Sequence, residues 1–164
     1  MTTASARPLM SRQLYGARPS APAPAPARRL HPRIREGGLL VLPAEPHQVR
    51  VARRFARRLT AGWGIDEECL ADLLLIVGEL TADSALHGGT EMSVRIWLAG
   101  PELCVEVTDT GAPSHLSGSA VTDDGERARR LELVARLSDW CSVDRAPLRR
   151  RVRAGFGVVR CSEG

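Results

Sequence analysis

The sequence has neither lysine nor asparagine; all 23 of its basic residues are arginine. That excludes a phosphate-loop lysine, a Schiff-base lysine and a glycosylation sequon. Aromatic residues are 4% of the chain, so aliphatic side chains must build any core. No apolar run reaches the roughly 18 residues that a membrane span needs; the longest lies near Leu70 to Val77. The first residues lack the apolar stretch of a secretory signal. The four cysteines, Cys69, Cys104, Cys141 and Cys161, form no C-x-x-C pair and fit no zinc spacing. Reduced, mostly buried thiols in a cytoplasmic protein are expected. The arginine- and alanine-rich, lysine-free composition is that of a GC-rich bacterial coding sequence.

What is present is segregated. Residues 1–58 hold twelve arginines against Glu36 and Glu45, a charge of +10. Residues 59–126 hold Arg95 against thirteen acids, or −12, and residues 127–164 return to +6. Basic ends around an acidic middle suit internal pairing or an acidic partner. No helix-turn-helix or RNA-recognition signature accompanies the arginines, which places nucleic acid last among such partners.

Residues 1–36 read as a disordered Pro/Ala/Arg-rich arm, with the alternating APAPAPA of residues 21–27 as an extended spacer. Residues 37–164 form the domain, opened by Gly37 and Gly38. Leu39 to Leu42 reads as a short strand. From His47 to Trp63, apolar residues at helical spacing alternate with Arg50, Arg53, Arg54, Arg57 and Arg58. Asp66 caps a second helix that runs to about Leu86 and is apolar nearly all round, hence buried. Met92 to Leu98 and Leu103 to Val107 alternate as two strands joined by Ala99-Gly100-Pro101-Glu102. Residues 110–125 have the composition of a mobile loop. A third helix spans Glu126 to Leu137, and strands at Trp140–Val143 and Val152–Val159 flank an arginine-rich turn at 144–151. This order gives an α+β fold: a two-layer sandwich with a mixed, mainly antiparallel sheet covered on one face by helices.

Two constellations carry chemistry. Glu79, Asp83 and His87 stand at i, i+4 and i+8 on the buried helix, and so share one face. A buried carboxylate needs a partner or a metal, and carboxylate oxygens suit magnesium. Asp109 ends a strand and is followed by Gly111 and Pro113, in a D-x-G-x-P pattern. A solvated helix edge and an ordinary turn are the plainer readings of these two patterns.

Taken together, they resemble the histidine-kinase-like ATPases of the GHKL, or Bergerat, fold, and bacterial anti-sigma-factor serine kinases in particular. The segment Glu79-Leu80-Thr81-Ala82-Asp83-Ser84-Ala85-Leu86-His87-Gly88 is similar to that family's E-L-V-x-N-A-x-x-H-G box. Asp109, Gly111 and Pro113 match its D-x-G-x-P box. Leu131, Leu133 and Val134 keep part of its G-x-G-L-x-L-V box, and Asp139-Trp140 follows. The resemblance implies that Glu79 orients or deprotonates a nucleophile and that Asp83 binds magnesium. It implies that Asp109 recognises the adenine amino group, that Gly111 lets the backbone approach the base, and that residues 110–130 form a lid. On this reading Asp83, His87, Asp109, Gly111, Pro113 and Arg129 contact the cofactor, ATP with magnesium. An active site of this kind would be an ATP-dependent protein serine/threonine kinase.

The implied function is a regulator that binds, and on an active reading phosphorylates, a transcription-regulatory protein: a sigma factor or its antagonist. A homodimer is compatible with it. The sequence departs from the boxes at Asp83, where the family has asparagine, and at Ala128 and Arg130, where it has glycines. Those departures leave open a nucleotide-free binding module on the same fold. The arginine-rich arm leaves open a third reading, an acidic partner or nucleic acid.

Overall fold

A computed structural model describes residues 34–87, 89–110 and 120–158. The arm at residues 1–33, Gly111, Pro113 and the carboxy-terminal residues from 159 lie outside the described residues.

The elements run β1 (Ile34–Pro43), α1 (Gln48–Thr60), α2 (Glu67–His87), β2 (Glu91–Ala99), β3 (Glu102–Thr110), α3 (Ala120–Leu137), β4 (Trp140–Ala146) and β5 (Arg149–Gly157). The five strands form one sheet in the order β1-β2-β3-β5-β4. Every pairing is antiparallel, so the sheet is not mixed. The α+β class and the element order agree with the sequence reading.

Local chemistry explains most boundaries. The Asp66 carboxylate accepts a hydrogen bond from the Cys69 amide at 2.7 Å, which satisfies one of the free donors at the start of α2. Between β2 and β3 the chain reverses in two residues, and Gly100 takes φ +66°, as such a turn requires at its first position.

Three boundaries differ from the expectation. Gly37 and Gly38 sit inside β1, which begins at Ile34 and pairs along β2, rather than opening the domain. The helix expected from Glu126 starts at Ala120, so part of the expected loop is helical. An isolated glycine such as Gly125 costs a helix only about 1 kcal/mol. The arginine-rich turn at 144–151 is mostly strand, because Ala146 already faces Arg149 and only Pro147 and Leu148 lie between them. Loop-like polarity there reflects strands with one wet face.

One face of the sheet carries the helices, with α1 against β1, α2 against β2 and β3, and α3 against β4 and β5. Its register rows read Gly38, Ile96, Val105, Ala154 and Cys141, then Leu40, Val94, Val107, Val152 and Val143. Leu73, Ile76, Val77 and Leu80 of α2 pack down on these rows, and all four are buried. The next row towards one end reads Leu42, Met92, Asp109, Arg150 and Arg145. The covered face therefore turns from hydrocarbon to charge within a single register step. That step positions the site.

Candidate nucleotide site

The stripe on α2 meets the polar row of the sheet. Asp83 is 1% exposed, one of the few buried charged residues among those described. Its Oδ2 accepts a hydrogen bond from Nη1 of Arg150, and its Oδ1 accepts one from Nε of Arg127 at 3.4 Å. His87, one turn further along α2, places Nε2 4.0 Å from the same Oδ1. A carboxylate so deep would be untenable alone, and two guanidinium groups compensate it.

Asp109 and Arg150 are directly opposite in the β3–β5 ladder. Nη1 of Arg150 lies 3.9 Å from Asp109 Oδ2. The same oxygen accepts a hydrogen bond from the Ser84 hydroxyl at 3.0 Å. Burial pushes the Asp109 carboxyl above its ordinary range, and the Ser84 hydrogen bond and the Arg150 charge oppose that shift. Asp109 is therefore an acceptor held in a dry place, aimed by one hydroxyl and one cation.

Of the residues that the sequence singled out, the fold joins Asp83, His87 and Asp109 in one cluster. Glu79 is half-buried on the same stripe of α2 and makes no hydrogen bond or ion pair among the described residues. Arg129 is exposed on α3 and stands outside the cluster, as does Ala128. Arg130 pairs with Glu126 one turn back, and that contact holds the Glu126 carboxyl below its ordinary range.

Arg150 and Ser84 are the participants that sequence reasoning passed over. The signal for Arg150 was available. Arg150, Val152, Ala154 and Phe156 alternate at a period of two, so an arginine in phase with three apolar residues must point inward. Ser84 follows Asp83 on the helix and carries no comparable mark.

Magnesium needs free oxygen donors. Both oxygens of Asp83 are engaged by guanidinium groups, and no cluster of three His, Cys, Asp or Glu side chains able to hold a metal occurs among the described residues. The residues present do not fit the metal. An adenine nucleotide is a different matter. Asp109 offers a buried acceptor suited to an amino group, while Arg127 and Arg150 offer cations suited to phosphate.

Among the described residues no helix is long and apolar enough to cross a membrane. The three described cysteines are free thiols, with Cys69 and Cys104 buried and Cys141 half-buried.

No curated protein matches the sequence. Among solved structures, the RsbU and RsbW domains of Rv1364c from Mycobacterium tuberculosis superpose with a TM-score of 0.58 at 17% sequence identity. The match covers 76% of this chain but 33% of that one, so the chain spans about a third of that structure. At this identity the likeness shows the fold. The sequence profile of the histidine kinase-like ATPase domain matches residues 42–156, from the end of β1 to the end of β5. The chain therefore belongs to the histidine kinase-like ATPase domain family.

Proposed function

We propose that this chain is a partner-binding regulator that takes an adenine nucleotide at the end of its sheet, and that it acts by gripping a transcription-regulatory protein in the cytoplasm. The observation that carries the reading is Asp109. It is 7% exposed at the end of β3 and oriented by Ser84, and the resemblance of its D-x-G-x-P motif to that of the kinases implies that it reads the adenine amino group. The likeness to an RsbW-containing structure supports an anti-sigma-factor-like role.

A partner would meet α1. Its outer face presents Arg50, Arg53, Arg54, Arg57 and Arg58, while Ala52 and Ala56 face the core. Arg50, Arg53, Arg54 and Arg57 line a groove with the half-buried Leu74 and Leu75 of α2. Basic charge beside leucine suits an acidic, partly apolar protein surface.

Calorimetric titration of the full chain with ATP tests the nucleotide half, with Asp109→Ala as control. Saturable binding that the control loses is the expected result. Flat titrations up to millimolar ATP would favour the second reading, a nucleotide-free module. That reading draws on the occupied Asp83 carboxylate and on Ala128 and Arg130 at the glycine positions.

A further inference from the structure

We propose that the Arg150 guanidinium is a built-in cation standing where the resembled kinases place magnesium, so that this chain holds nucleotide polyphosphate without a divalent metal. The proposal rests on the nucleotide reading above.

Asp83 is 1% exposed, and its two oxygens face two different arginines from two different elements. A divalent ion could reach those oxygens only by expelling a buried guanidinium, and it would then sit close to two fixed positive charges. At such separations in a poorly hydrated site that repulsion is large. The neighbouring groups do not supply a substitute donor set, since Ser84 and Arg150 already engage Asp109 and no three-ligand cluster exists among the described residues.

Arg150 is only 9% exposed and spends Nη1 on Asp83. Its Nε and Nη2 are buried with no hydrogen-bond partner among the described residues. Leaving charged donors unmet in the interior is costly. Phosphate oxygens are the acceptors that a guanidinium fork meets best. Nη1 of Arg130, on the helix that also carries Arg127, is likewise buried with no hydrogen-bond partner among the described residues.

The Arg150 backbone lies in β5 between the β3 and β4 ladders, facing Asp109 on one side and Arg145 on the other. A cation on an inner strand keeps its place without a metal's coordination shell, and Asp83 on α2 fixes its head.

The test uses the full chain and compares ATP affinity in magnesium with ATP affinity in excess EDTA. The expected result is equal affinity within about threefold, with ATP far tighter than adenosine even in EDTA. Binding that is tighter by about tenfold or more in magnesium overturns the built-in cation and leaves the nucleotide reading standing. ATP no tighter than adenosine also overturns it, because the phosphates would then be making no contact. Binding of neither ligand in either buffer overturns both the proposal and the reading beneath it. Arg150→Gln should bring ATP down to the affinity of adenosine. Circular dichroism of that variant separates loss of the cation from loss of the fold, and the comparison within the natural chain does not depend on it.

Discussion

The two faces of this sheet are built from the same strands and differ by one residue of phase. On the covered face, apolar rows lie beneath the helices and the charge is gathered at one end, in Asp83, Asp109, Arg127 and Arg150. On the open face, charge is spread along the rows. Arg95 stands over the Trp97 ring at 5.2 Å, Glu106 pairs with Arg151 at 3.5 Å, and Arg153 pairs with Asp144 at 2.9 Å. These groups keep contact with water. The same residue types therefore do different work. Exposed pairs keep a strand soluble at little gain, whereas the enclosed cluster is held by mutual need and is expensive to break.

The sharpest way to break this comparison is Arg150→Met. It leaves Asp83 enclosed with Arg127 alone as a hydrogen-bonding cation, and should cost about 3–5 kcal/mol in urea unfolding. Adding Asp83→Asn should return part of the loss, because the abandoned charge goes with it.

Apolar positions on the two faces should separate almost as far. Ile96→Ala, at a fully buried position, should cost about 2–5 kcal/mol. Leu39→Ala, where the side chain is 62% exposed, should stay within about 0.5 kcal/mol in the same assay.

Gly155 gives a smaller effect on the open face. The Trp140 indole lies over it, and a Cβ added there would come within 2.6 Å of the ring. Trp140 also donates its Nε1 hydrogen to Glu102. Gly155→Ala should lift the ring off the sheet, lower stability by about 1–3 kcal/mol and change the tryptophan fluorescence. An unchanged spectrum would mean that the ring is not seated there.

The smallest effect is a slope with pH. Burial raises the Asp109 carboxyl above the ordinary 3.8, so the folded chain keeps this proton at pH values where the unfolded chain has lost it. Folded protein then binds more protons, and the contribution of Asp109 to stability falls as pH rises through that window. Carboxyl titration by NMR should show the raised midpoint. Ser84→Ala should raise it further by removing the hydrogen bond that favours the charged form. Asp109→Asn should remove this part of the slope.

Much of the fold was legible because its signals are local. Alternation at Met92–Leu98, the Asp66 cap and the turn at Gly100 each act within a few residues. The helical stripe of Glu79, Asp83 and His87 was equally plain. The turn expected at 144–151 failed for a physical reason. Strands with a wet face and a charged end row look like loop by composition, and pairing with β3 and β4 carries the strand expected from Val152 back to Arg149.

By itself the sequence determined the order of elements, the enclosed helix and the two motifs, Asp83 with its stripe and Asp109 at a strand end. Tertiary structure alone decided their company. Arg150 lies 67 residues from Asp83 in the chain, and Ser84 lies 25 from Asp109. No local pattern encodes such pairs, because register across β3 and β5 and the seating of α2 on the sheet set them. The stripe that reads as a metal site is, once folded, closed by arginines, since a buried carboxylate takes the nearest cation that the fold supplies.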